Sequence, residues 1–243
     1  MVFQLAGGMA AAFLMLISAN VAWTPTVEQS LQQLPDSGGE IRGGRLVWPN
    51  RESRLWAERP QLALGVVPAG GAPLGLSSDL QVEFRSDSIW LRGVLGVASL
   101  PYPSDLELTL SRTAGPAAWD AWRPALATAL GAAAMLVHLS VASALGLVVL
   151  LPAWAVSALT RRAGGFGGAA KVSCMAAQAP LLMGWFAVVA YASRAVSLSA
   201  LGLGLGMVPL LHLVMCGWAI VALPAAAGSP PGSRSRNPFT EQK

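Results

Sequence analysis

The sequence predicts an α+β membrane protein: four transmembrane helices, with a small β-rich extracytoplasmic domain inserted between helices 1 and 2. Three observations predict it. Only 12% of the 243 residues are charged and 54% are hydrophobic, whereas a soluble domain carries about 25% charged residues. The apolar residues are gathered into long runs, with one polar stretch between the first run and the rest. Within that polar stretch the hydrophobic pattern alternates, as strands require, instead of recurring at helical spacing.

The first run, residues 1–23, contains "VFQLAGGMAAAFLMLISANVAW" and no charge. Crossing the hydrocarbon core as a helix takes about 20 residues. A secretory leader has a basic start, a shorter apolar core and a small-residue cleavage site. Neither Lys nor Arg precedes this run, so an uncleaved anchor is expected, with cleavage near Ala22 as the alternative.

Residues 24–124 read as the β-rich domain. "TVEQSLQQL" places Val27, Leu31 and Leu34 at helical spacing behind Thr24-Pro25. "PDSGGEIRGGRLVWPN" reads as turn, short strand, turn, and "LALGVV" as a second strand. In "LQVEFRSDSIWLRGVLGV", Val82 and Phe84 alternate with Glu83, and Ile89 and Leu91 with Trp90 and Arg92, about a Ser86-Asp87 turn. "LELTLS" puts Leu106, Leu108 and Leu110 on one face.

Residues 125–225 read as a three-helix transmembrane region, with spans at about 128–159, 172–192 and 199–223. The first is longer than a minimal span and is expected to tilt or to start on the membrane surface. Residues 226–243 form a Pro-, Ser- and Arg-rich tail, expected to be disordered and cytoplasmic. Arg161, Arg162 and Lys171 fall in one short loop, Arg234, Arg236 and Lys243 in the tail, and Arg194 alone in the other loop. Positive charge marks the cytoplasmic side. Both termini are therefore expected in the cytoplasm and residues 24–124 outside. Arginine outnumbers lysine fourteen to two, which hints at a bacterial origin and hence an inner membrane.

Charge also excludes some functions. Residues 24–123 carry nine arginines against eleven acids, so the basic excess lies beside lipid and no nucleic-acid partner is expected. No Asp or Glu occurs between Arg123 and Arg236. Proton- and sodium-driven carriers use intramembrane carboxylates, so that class is disfavoured. The polar stretch has neither His nor Cys, which rules out Ser/His/Asp catalysis within it. Carboxylate pairs such as Glu52 and Glu58, or Asp79 and Glu83, stay open for glycoside hydrolysis, without a spacing that selects them. Trp48, Trp56 and Trp90 are expected to pack in a core or at its edge, with a sugar platform as the alternative.

"RRAGGFGGAAKVS", residues 161–173, has the ingredients of a phosphate loop. A Walker loop needs G-x-x-x-x-G-K-[ST]. Here Lys171 comes two positions late after Gly168, and no hydroxyl adjoins it. The segment reads as a cytoplasmic turn, with Arg161, Arg162 and Lys171 in lipid-headgroup contact at about 1 kcal/mol per cation.

His138 and His212 both fall inside predicted helices, at similar depth from the outer face. The main reading is interhelical hydrogen bonding. A haem or metal held between them is the minority reading, and Cys216, one turn after His212, is the weak candidate for a metal site. Gly202 and Gly206 form a small-xxx-small face and are expected to pack helices. No catalytic residue is expected.

"LPDSGGEIRGGRLVWP" resembles a motif near the start of the outer domain in a bacterial inner-membrane family of unknown function, sometimes labelled maltodextrin-utilisation membrane protein. Its helical bundle is similar to that of the Yip-type family. The resemblance implies the same order: an anchor helix, an outer β-rich domain, then a proline-bearing bundle. It implies no catalytic residue. The expectation is a non-enzymatic inner-membrane protein whose outer domain binds a membrane or periplasmic protein partner or an envelope ligand. The alternatives are a small transport component for a neutral or lipid-like substrate, or a haem- or metal-binding membrane subunit.

Overall fold

The computed structural model describes residues 2–94, 96–161 and 165–224. Helix α1 spans Val2–Ala22 and α2 spans Thr24–Gln32, with only Trp23 between them, itself in helical conformation. Pro25 stands in the first turn of α2, where a missing N–H costs nothing. Helix α3 spans Gly115–Leu159. At 1.5 Å per residue it is about 68 Å long, more than twice a hydrocarbon core. It starts well before the expected Thr128, because the Ser111 hydroxyl accepts the Ala114 N–H at 3.1 Å and the Ser111 carbonyl accepts Gly115 N–H at 2.8 Å.

The next expected span is two helices, α4 (Gly165–Ala176) and α5 (Gln178–Ala192). Pro180 explains the break, since a proline ring clashes with the carbonyl four residues earlier, at Ala176. Helix α6 spans Leu198–Ala222 and runs through Pro209. Between α5 and α6, Arg194 takes a left-handed φ of 65°, and Ala195 N–H returns to the Ala190 carbonyl at 2.8 Å. That is a Schellman-type ending with a non-glycine residue in the glycine position. By length and composition, four helical stretches among the described residues are long and apolar enough to cross a membrane: Val2–Gln32, Gly115–Leu159, Gly165–Ala192 and Leu198–Ala222.

Eight strands lie between α2 and α3 in the chain. β1 (Gly39–Arg42) and β2 (Arg45–Val47) form a hairpin where the sequence suggested one strand. The two-residue loop Gly43-Gly44 has φ of 55° and 74°, the doubly left-handed turn that suits the twist of a hairpin. β8 (Leu108–Leu110) pairs with the other side of β1. The second sheet has the order β3 (Arg54–Glu58), β4 (Leu62–Val67), β5 (Leu80–Arg85), β6 (Ser88–Gly93), β7 (Gly96–Pro101). All its pairs are antiparallel except β4 with β5. Such a parallel pair needs a crossover, here residues 68–79, which contain no helix.

That crossover explains a departure from the alternation read in β5. Val82 and Phe84 do face the main core of Leu34, Ile41, Trp56, Leu64, Val66 and Leu110. Their neighbours Gln81 and Glu83 are also fully buried, beneath the crossover. Glu83 accepts from Arg85 Nη2 at 2.7 Å, Arg92 Nη1 at 2.7 Å and Gln81 Nε2 at 2.9 Å. Arg92 Nη1 also donates to the Leu74 carbonyl at 2.6 Å, and the Ser77 N–H donates to Gln81 Oε1 at 3.1 Å. The polar face of β5 is thus a clamp that fastens the crossover.

Contact density divides the chain into two compact units. One lies within residues 1–7, 137–183 and 206–243, the other within 8–136 and 184–205. The strands therefore share a unit with most of α1, all of α2, the start of α3 and the 184–205 segment.

Candidate functional site

The strand-bearing unit contains two adjoining apolar cavities where its sheets meet helices. The first, about 310 Å³, lies between α2, Trp56 of β3, Leu64 of β4, β8 and the first turns of α3. The second, about 340 Å³, is bounded by Leu16 and Ala19 of α1, Val27 of α2, Leu80 and Val82 of β5, and Arg123 to Leu130 of α3. Val27, Leu64, Trp119 and Leu126 line both. Each volume lies within the range of small-molecule sites, roughly 300–1,000 Å³.

The walls follow from local sequence. Helical spacing brings Val27, Leu31 and Leu34 to one side of α2. Trp119, Trp122 and Leu126 recur at spacings of three and four, so one face of α3 presents them together. Trp56 is 5% exposed and packs at 5.3 Å from Trp48 and 5.5 Å from Phe84, ring centre to ring centre.

The polar groups of these cavities are few. The indole N–H groups of Trp56 and Trp119 are buried and find no acceptor among the described residues. A buried donor left without an acceptor costs about 1–3 kcal/mol. At the rim, Arg123 Nη2 donates to Asn20 Oδ1 at 3.2 Å and Nη1 lies 3.9 Å from Glu28. The arrangement suits a molecule with a long apolar body and an anionic group near Arg123. From sequence, Trp56 is expected to pack in a core or at its edge. Nothing local distinguishes an orphaned indole from a satisfied one.

The residues singled out from sequence fall elsewhere. His138 is 1% exposed, and its Nε2 lies 3.0 Å from Gln178 Oε1. His212 is 0% exposed, and its Nε2 donates to the Ser173 carbonyl at 3.0 Å. Ser173 in turn donates its hydroxyl to the Gly146 carbonyl at 2.9 Å. A Cβ at Gly146 would sit 2.9 Å from Cys174 Sγ, so glycine allows α3 and α4 this close approach. The Nδ1 atoms of both histidines are buried and without a partner among the described residues. Each histidine therefore has its own hydrogen-bond partner on another helix, and no group of three or more His, Cys, Asp or Glu converges among the described residues. Cys216 is 1% exposed and packs with Val149, Ala153, Ala169 and Ile220.

Arg161, with φ of 50°, and Lys171 are both exposed. Arg162 and residues 226–243 of the tail lie outside the described residues. A Cβ at Gly202 or Gly206 would meet nothing within 4 Å among the described residues, so the expected packing face has no partner among them. Asp79 accepts from the Tyr191 hydroxyl, and both Glu83 oxygens are taken by arginines, so this carboxylate pair is already engaged. Trp48 and Trp56 are core and edge aromatics, and Trp90 lies under the Arg85 guanidinium at 3.7 Å.

No family model matches the chain, and no curated protein and no solved structure matches it.

Proposed function

We propose that this chain is a non-enzymatic, multi-pass inner-membrane protein that binds a lipid-like molecule of the cell envelope. Residues 24–124 form its outer, β-rich part between membrane helices 1 and 2, and both termini lie in the cytoplasm. The helices anchor the binding site at the level where a lipid can enter it sideways. The family resemblance of residues 34–49 agrees with this order of parts and adds no activity.

The observation that carries this reading is the pair of adjoining apolar cavities with two unpartnered indole N–H groups. A carbonyl or ester oxygen of a lipid satisfies an indole, while its chain displaces water from apolar walls.

The test is lipid extraction from the purified full chain, followed by mass spectrometry. Wild type is expected to retain an amphipathic lipid through purification. Trp56→Phe and Trp119→Phe keep the ring and remove the donor. Each is expected to lower retention about five- to tenfold, the worth of one hydrogen bond of about 1–1.4 kcal/mol. Equal retention by both variants and wild type would refute the role of the indoles.

A further inference from the structure

We infer that the β6–β7 hairpin dips its tip into the outer leaflet and is a second membrane-contact element, separate from the helices. The inference rests on the helices being membrane spans and is independent of the lipid-binding cavity.

The sequence from Gly93 to Pro103, "GVLGVASLPYP", carries no charge. Val94, Val97 and Leu100 are 63%, 58% and 53% exposed, and all six residues of the edge strand β7 are exposed. Soluble proteins protect such an edge with charge, proline or cover; of these β7 has only Pro101, its last residue, at the end away from the tip. The last charge before the tip, Arg92, points away to Glu83 and the Leu74 carbonyl.

The position of the tip says what covers it. Val94 and Val97 line a cavity of about 450 Å³ together with Trp23, Tyr191 and Leu198. Trp23 directly follows α1, Tyr191 is the second-last residue of α5, and Leu198 is the first of α6. The tip therefore lies level with three ends of apolar helices, where Trp and Tyr mark a membrane–water boundary. Two hydrogen bonds fix that level: the Tyr191 hydroxyl donates to Asp79, and Gln61 Nε2 donates to the Tyr191 carbonyl at 3.3 Å. An uncharged, exposed tip held at that height meets acyl chains, as interfacial segments do when buried about 5–10 Å deep.

The experiment is nitroxide labelling of the full chain, with Cys174→Ala and Cys216→Ala, in liposomes of phosphatidylethanolamine and phosphatidylglycerol. Labels go on Val94→Cys and Val97→Cys, with Leu203→Cys on α6 as the lipid reference and Arg51→Cys as the water reference. Power saturation compares collisions with oxygen and with a soluble nickel chelate. Both tip labels are expected to favour oxygen, with nickel accessibility several-fold below Arg51→Cys. Nickel accessibility equal to Arg51→Cys, while Leu203→Cys reads as lipid, overturns the inference alone. Strong spin–spin broadening at Val97→Cys overturns it in favour of strand pairing between two copies. A watery Leu203→Cys sinks the membrane reading, and the inference with it.

Discussion

Glu83 carries the sharpest energetics of any single residue. Burial raises the cost of its charge, but hydrogen bonds from Arg92 and Arg85, and their positive charges, outweigh burial. The net effect holds its carboxyl below the ordinary value of 4.5. A folded-state pKa below the unfolded one gives stability that is fully present above the unfolded value. That stability is lost as pH falls from about 4.5 through the folded value. Thermal melts of the purified protein are therefore expected to be flat in this contribution at neutral pH and to fall with acid. Glu83→Gln should remove the acid-dependent part and cost about 3 kcal/mol at neutral pH. This is the low end for breaking a buried pair, because both guanidiniums keep some solvent access. No change in the melting point would show that the crossover is fastened by other contacts. The same residue marks where sequence reading stops. Alternation showed that β5 is a strand with Val82 and Phe84 on one face, but could not show that a crossover covers the other.

His138 and Gln178 offer a second test at this scale. Hydrogen bonds between membrane helices average about 0.6 kcal/mol, with a maximum near 1.7. A double-mutant cycle of His138→Leu and Gln178→Leu in detergent is expected to return a coupling energy in that range. Zero coupling would mean that the 3.0 Å pair contributes nothing to stability.

Among the elements, helix existence was legible and helix boundaries were not. Apolar runs announce α1, α3 and α6 because long uncharged stretches have few other conformations open to them. The break at Ala177 follows from Pro180, yet Pro209 leaves α6 continuous, so proline alone does not decide. The Gly43-Gly44 hairpin and the edge strand β7 were missed, since short strands carry few alternating positions. The α5 ending gives a prediction. Arg194 occupies a left-handed conformation that costs an L-residue roughly 1–2 kcal/mol, part of which glycine returns as extra unfolded-state entropy. Arg194→Gly should therefore stabilise the protein by about 0.5–1 kcal/mol in thermal melts, whereas Arg194→Val should destabilise it.

For the whole molecule, the four long apolar helices and a β-rich segment were legible in the sequence, but the two apolar cavities were not. Their walls come from α1, α2, α3 and both sheets, and no local pattern joins residues so far apart in the chain. Orientation belongs to this scale as well. Reporters fused within residues 68–79 and after Lys243 should report outside and inside, respectively. An external C-terminus would reverse the proposed topology. Among the described residues nothing packs on Gly202 or Gly206, which leaves their faces open to a second copy of the chain. Gly206→Leu should weaken any self-association seen by crosslinking and leave the monomer's melting point unchanged.

Lipid binding between the sheets and α3 is tested most directly by a phosphatidylethanolamine with a diazirine on its acyl chain. The full chain in liposomes is irradiated, and the labelled residues are read by peptide mass spectrometry. Labels are expected on Val27, Leu64 and Leu126, besides outward-facing positions such as Leu213. Leu126→Trp, which fills both cavities from an exposed position on α3, should remove the labels at Val27 and Leu64 and leave Leu213 unchanged. Labels confined to the outward-facing helix surfaces of the wild type would contradict the proposed function.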